Sequence, residues 1–398
     1  MALEYDVIAV GGGLGGSAVA KVMASSGAHV LLVERETRFK DRIRGEALMP
    51  WGVDEARRIG VYDALRASCA RDVPKLLRIA GPLRSERDFI ASTPQGLAVL
   101  TFYHPAMQEV MISEAESAGA EVVRGARIRS VQPGRPPRVT IEHEGKIDEC
   151  RARLVICCDG RSSAGRGWGG FEVRQDREQM VVSGVLLDRM AIAEDTNVFV
   201  MGPHVGQFVL FFPQGGGRVR AYLCYQHDAP RISGEVAFSR FVEGCVVTGA
   251  PADFYSGVTI AGPLATFDGA DNWVDHPYRD GIALIGDAAA CSDPTWGQGM
   301  SLALRDARVL TDFLRTDDDW DGAAHAYAAE HDRYYGVIHS VEDWETQVFF
   351  ERGTQADDIR KRALPKLALE PSRLPDVFIS GPDIPFDASM KARLFGYD

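Results

Sequence analysis

The segment from Tyr5 to Arg35, YDVIAVGGGLGGSAVAKVMASSGAHVLLVER, constrains the fold more than any other stretch. Val7 to Val10 is a continuous apolar run, the pattern of a parallel strand buried on both faces. Gly11, Gly13 and Gly16 follow in the spacing GxGxxG, with Leu14 and Gly15 between the last two. The first glycine permits a tight turn. The second lets backbone approach a pyrophosphate, and the third lets a helix pack close on the strand. A helix over about 14–26 then aims free N–H groups and a partial positive charge at that anion. Gly27 ends the helix, 28–33 forms a second strand, and Glu34 stands where a carboxylate accepts hydrogen bonds from an adenosine ribose. The unit predicts a dinucleotide site and leaves NAD and FAD both open.

The rest of the composition narrows the class. With 398 residues the chain has room for two to three domains. Apolar content of 45% and charged content of 25% are those of a soluble globular protein. A net charge of −12 argues against nucleic acid, whose phosphates need a basic surface. Met1 leads almost directly into the first strand, with no basic or apolar leader, and no apolar run is long enough to span a bilayer. The seven cysteines are scattered, form no CxxC, and read as reduced thiols of a cytoplasmic protein. No HExxH pair, Cys/His cluster or GxSxG elbow occurs, so neither a metal site nor a serine hydrolase is expected.

Along the chain the pattern predicts an α/β protein with an inserted sheet. A charged loop follows Glu34, and helical spacing runs from about Trp51 to Leu65. Residues 74–93 are turn-rich and read as strands of a second domain. A helix opens at His104-Pro105 and stops at Gly119. A hairpin covers 127–149, and a buried strand runs from Arg153 to Cys158. From Met180 to Gln226 the alternation changes to several strands with Gly/Pro turns, as in an antiparallel sheet. A buried strand returns at 281–285, a long helix at 300–314, and helical periodicity at 322–362. The Pro-rich last thirty residues are expected to wrap the surface. The expected division is a discontinuous dinucleotide-binding domain (1–73, 99–178 and 263–320), a substrate-binding sheet domain (74–98 and 179–262) and a helical region (321–398).

Two further stretches suit the same ligand. Asp159-Gly160 and Gly286-Asp287 each close a buried strand, where an open α/β sheet binds ligands. The second continues into Pro294-Thr295-Trp296-Gly297-Gln298-Gly299-Met300, a glycine turn that opens a helix. Taken together, GxGxxG with Glu34, Asp159-Gly160, and Gly286-Asp287 with Pro-x-x-Gly-Gln-Gly-Met resemble the class A flavoprotein monooxygenases, of the para-hydroxybenzoate hydroxylase fold. The resemblance spans roughly residues 5–314.

That resemblance implies non-covalent FAD in a Rossmann-type domain. Gly11, Gly13, Leu14, Gly15 and Gly16 would hold the pyrophosphate, Glu34 and Arg35 the adenosine end, and Arg44 the flavin. Asp159, Gly160, Gly286 and Asp287 would lie along the cofactor, with Pro294, Gly297, Gly299 and Met300 at the flavin ring. His104 stands where the family often has a flavin-contacting arginine or glutamine and is a further candidate to touch FAD, or else packs at the helix start beside Pro105; Ser301 stands where the family has asparagine. By the same resemblance NADPH or NADH binds transiently, since Gly215-Gly216-Gly217 opens no helix and no second nucleotide domain is expected. The implied reaction is hydroxylation of an aromatic or polycyclic small molecule with O2 through a flavin C4a-hydroperoxide. Phe208, Phe211, Tyr222 and Pro294 are the expected substrate-pocket residues, and no catalytic base is evident. Halogenation is a competing reading, because Gly45-Glu46-Ala47-Leu48-Met49-Pro50 resembles the GExLxP stretch of the flavin halogenases. Phe208 to Pro213, however, lacks the tryptophans of their WxWxIP, and Lys75 is the only nearby lysine. The same fold also admits reductase or epoxidase chemistry, or FAD binding without turnover.

Overall fold

A computed structural model of the chain describes residues 4–43 and 45–397. Its first layer is a sheet whose central strands are parallel. The order is Tyr278–Arg279, Ile282–Leu284, Lys146–Cys157, Tyr5–Val10, Val30–Glu34 and Glu121–Arg124. The four inner pairings between Ile282–Leu284 and Glu121–Arg124 are parallel. Both faces are covered, so these strands are apolar at consecutive positions. Val7 and Ala9 face a core of helices, while Ile8 and Val10 face the opposite side. Cys157 and Cys158 divide between the same two faces, and all seven cysteines are free. The strand expected at 153–158 is the end of a longer one, Lys146–Cys157, whose first half pairs with the hairpin strand Arg138–His143.

The second layer is an eight-stranded sheet built mainly from Met180–Asp188, Thr196–Met201, Phe208–Gly215 and Arg218–Gln226. Lys75–Ala80 and Leu83–Asp88 join it from the earlier stretch, through a parallel pairing with Thr196–Met201. One face packs under the helix Phe238–Thr248 around Val209, Phe211, Leu223 and Phe241. The other carries Phe208, Tyr222 and Cys224 toward the C-terminal helices.

Two expectations change. The helical stretch near Trp51 is two helices, Pro50–Ile59 and Tyr62–Ser68, because Gly60 adopts φ +79° and ends the first. The last residues do more than wrap the surface. Val377 of the short helix Val377–Ser380 is fully buried, and Phe378 stacks on Trp296 with ring centroids 5.1 Å apart. Before it lie the helices Trp320–Phe349 and Thr354–Leu369. No helix among the described residues is long and apolar enough to cross a membrane.

What aligns the parts is a close approach in the first turn of the chain. The helix Leu14–Ser25 starts directly at the end of the first strand. A β-carbon on Gly16 would lie 2.0 Å from the Gly11 carbonyl oxygen, so only glycine lets helix and strand sit this close. Gly11 itself has φ +104°, and a β-carbon there would meet the Cys158 carbonyl oxygen at 2.6 Å. Gly13 is different, since its added β-carbon would meet no atom within 4 Å. Gly16→Ala should therefore cost about 1–3 kcal/mol of stability or more through overpacking. Gly13→Ala should stay within about 0.5 kcal/mol of the parent. Urea unfolding of the cofactor-stripped proteins checks this, and equal losses in the two variants would contradict the packing argument.

Candidate active site

At the C-terminal edge of the parallel sheet lies a cleft of about 410 Å³. Gly13, as the residue before the first helix, opens onto it, and among the described residues no side chain caps that helix. Its first turn holds no acid, so the terminal N–H groups keep their positive potential for an outside anion. Glu34, 7% exposed, lines the cleft with its carboxylate pinned in place. Its Oε2 accepts the Gly12 N–H at 2.7 Å and its Oε1 the Glu36 N–H at 2.7 Å. Each oxygen keeps a second lone pair for ribose hydroxyls. Arg35, Lys40, Arg42 and Arg127 surround the same cleft and suit an anionic ligand. Asp159 and Gly160 line it opposite. Asp159 also starts the short helix Ala164–Trp168, accepting from Ser163 Oγ at 2.5 Å and the Ala164 N–H at 2.7 Å.

A second group of predicted residues gathers at the start of the long helix Gly299–Thr316. Gly286 turns with φ +59° and donates its N–H to Asp306 Oδ2 at 2.6 Å. Arg166 clamps the following backbone, donating from Nη2 to the Asp287 carbonyl at 2.8 Å and from Nε to that of Ala288 at 2.7 Å. The Asp287 carboxylate reaches the helix start, with Oδ1 3.4 Å from where a β-carbon on Gly299 would sit. Between them the chain turns at Pro294, whose carbonyl accepts the Gly297 N–H at 3.2 Å, and Gly297 has φ +69°. Gln298 is held by Trp51 Nε1 at 3.1 Å and donates to the Trp296 carbonyl at 2.7 Å. Among the described residues no side chain caps the helix and its first turn lacks acids, so the partial positive charge of the Gly299 and Met300 end stands beside the Asp287 carboxylate. Met300 packs on Gly45, where a β-carbon would meet its Cε at 2.9 Å. His104 donates from Nδ1 to the Gly45 carbonyl at 2.8 Å and lines the dinucleotide cleft. Three distant segments thus meet at Gly45. Arg44 lies outside the described residues.

The family model for the FAD binding domain matches residues 4–316, more than three quarters of the chain. The chain belongs to that family. It is 25% identical over 319 residues to digeranylgeranylglycerophospholipid reductase of Methanosphaerula palustris, covering 78% of this chain and 76% of the relative. It is 27% identical over 334 residues to squalene epoxidase 2 of Arabidopsis thaliana, covering 78% of this chain and 54% of that protein. Among solved structures it is similar to p-nitrophenol 4-monooxygenase PnpA from Pseudomonas putida. There the TM-score is 0.76 at 18% identity, covering 95% and 96% of the two chains. It also shares its fold with the flavin-dependent brominase Bmp2, with a TM-score of 0.73 at 15% identity, covering 85% and 86%. FAD is therefore the cofactor. The residues present fit it: open backbone at Gly13, a fixed carboxylate at Glu34, and an uncapped helix end at Gly299.

A second cavity, of about 290 Å³, lies between the second sheet and the C-terminal helices. It is about twice the ~150 Å³ dry cavity that accommodates benzene, which suits a molecule of about two rings. Trp296 is one wall, stacked on Phe350 at 4.8 Å, and Phe350 stacks on Phe208 at 5.4 Å. Leu210 and Phe212 line it beside Phe208, because residues two apart on a strand share a face. Phe211, expected with them, points the other way. It packs edge-on against Phe254 at 5.9 Å in the opposite core. The alternation in Phe208-Val209-Leu210-Phe211-Phe212 carried that signal. Pro294 is absent from the lining, which begins at Thr295. Trp296, Phe349, Phe350 and Phe378 come from loops and helices whose positions no local pattern reveals.

Tyr222 does not line the cavity either. Its hydroxyl donates to Glu46, and its ring meets Phe212 edge-on at 6.2 Å. Glu46 Oε1 lies 3.1 Å from Arg220 Nε, and Asp41 Oδ2 lies 2.8 Å from Arg220 Nη2. Arg220 and Glu46 are wholly buried. Two carboxyls share one guanidinium here, and desolvation raises the Glu46 carboxyl to about 7. An acid whose pKa rises on folding favours the protonated state. Its contribution therefore declines as pH climbs from the unfolded value near 4.5 through about 7. The stability of the parent relative to Glu46→Gln should fall between about pH 5 and pH 8, by up to about 3 kcal/mol. Chemical denaturation across that window checks it, and a pH-independent difference would contradict it.

Proposed function

We propose that this FAD enzyme is a monooxygenase that uses NAD(P)H and O2 to hydroxylate an apolar, aromatic small molecule. The observation that carries the reading is the aromatic-walled cavity, whose wall at Trp296 and Gly297 belongs to the same turn that opens the helix at Gly299. FAD, when bound, supplies the electron transfer and the activation of O2. The chain supplies the surroundings. Phe208, Phe212, Trp296 and Phe350 hold an apolar substrate and keep water out, which protects a reactive oxygen donor from decay. The uncapped N–H groups at Gly299 and Met300 favour negative charge at that position. The fold of p-nitrophenol 4-monooxygenase supports the same reading. NAD(P)H has no second nucleotide domain in this reading, and it would bind only transiently.

Halogenation has less support. Lys75 pairs with Asp195 at 2.7 Å, with about half of its side chain exposed, and no lysine is among the residues lining the cavity. A reductase is the stronger second reading, because several curated relatives are named digeranylgeranylglycerophospholipid reductase. The two reactions differ in what the product gains. With labelled O2 and NADPH or NADH, mass spectrometry of turned-over phenolic and polycyclic candidates should show one labelled oxygen atom in the product. A product that gains two hydrogens under argon, with no oxygen incorporated in air, would establish the reductase instead.

A further inference from the structure

The cavity lining is mostly apolar, with polar Asn197, His204, Gln207 and Thr295 and four charged residues, Arg78, Glu345, Asp376 and Arg360. Two of them are already engaged. Asp376 accepts from Arg87 Nη1 at 2.5 Å and Nη2 at 2.9 Å. Arg360 donates to the Val348 and Glu351 carbonyls and to Asp357. Arg78 and Glu345 are not engaged in this way. Among the described residues Arg78 makes no hydrogen bond and no ion pair; it feels Asp376 and Glu345 only at longer range. Glu345 is 4% exposed, and its Oε1 is buried without a hydrogen-bond partner.

The strand register explains why a guanidinium is here. On Lys75–Ala80, Leu77 and Ile79 pack into the core on the far side of the sheet. Leu76 and Arg78 therefore face the cavity, and Arg78 pairs across the strands with Phe199, another lining residue. Burial opposes the charge on Arg78 and pushes the Glu345 carboxyl well above the usual carboxylate range. Among the described residues Glu345 makes no ion pair or hydrogen bond with Arg78, and its Oε1 stays unpartnered. Arg78 is thus, among the described residues, a guanidinium without a hydrogen-bond or ion-pair partner on the wall of a largely apolar cavity. A partly buried charge of this kind favours an opposite charge with good hydrogen-bond geometry. A planar guanidinium matches a carboxylate through two parallel N–H···O bonds.

We propose that the cavity binds an aromatic carboxylate, with its rings against Phe208, Phe212, Trp296 and Phe350 and its anion on Arg78. The proposal rests on this cavity being the substrate site, yet it is tested by binding alone, so failure of the reaction assignment leaves the result readable. The holoprotein is titrated near neutral pH with 2-naphthoate and with its neutral analogue 2-naphthamide. Binding is followed by calorimetry and by quenching of tryptophan fluorescence, because Trp296 is a cavity wall. Charge-assisted hydrogen bonds from Arg78 should make naphthoate bind about tenfold tighter or more. Arg78→Met should abolish that preference while leaving naphthamide binding unchanged. Arg78→Lys, which keeps the charge without the fork, should retain part of it. FAD content and unfolding temperature report whether each variant is folded. Equal binding of the two ligands to the parent, no binding of either, or a preference that survives in folded Arg78→Met would overturn the proposal.

Discussion

The site depends on backbone packed against backbone at the end of the first strand. Gly16 sits where a β-carbon would come 2.0 Å from the Gly11 carbonyl oxygen, and Gly11 where one would come 2.6 Å from that of Cys158. These two contacts fix the helix Leu14–Ser25 against two neighbouring strands. Its uncapped end then points along the sheet edge, where Glu34 ends one strand and Asp159 and Asp287 stand just beyond the ends of two others. Hydrogen bonds to backbone then hold two of these carboxylates. Side chains in this region therefore contribute direction, and glycines contribute proximity.

The second half of the site is assembled by long-range packing. The segment 291–300 carries Trp296 toward the second sheet and the Gly299 helix end toward the first. The C-terminal helices close it from the far side through Phe350 and Phe378. Behind this lies the buried Asp41–Arg220–Glu46 group, which ties the loop after Glu34 to the second sheet. A buried ion pair is expensive to break, because removing one partner leaves the other charged and desolvated. That makes it a specific fastener between layers, whatever its net contribution to stability.

The parts legible in the sequence are those set by local backbone rules. A glycine at fixed spacing, an apolar run, and a Gly-Asp at a strand end each report their conformation within a few residues. The first layer, the inserted sheet and the FAD binding family follow from them. The cavity does not follow, for two different reasons. Phe211 faces the opposite core, as strict alternation from Phe208 requires, so its expected place in the pocket overlooks a local signal. Phe350 and Phe378 have no local signal, since each reaches the cavity only through packing of segments far apart in the chain. The helix break at Gly60 shows a third case, in which helical spacing on both sides hides a turn that one left-handed glycine creates.

The central claim is that the dinucleotide cleft and the aromatic cavity are two ends of one active site, joined through the turn at 294–300. The most direct measurement is the visible absorption spectrum of the FAD-loaded protein during titration with an aromatic ligand that quenches Trp296. The flavin bands should shift in step with the quenching, at the same ligand concentrations. Saturable quenching with no change in the flavin spectrum would contradict it, because the cavity would then be separate from the cofactor.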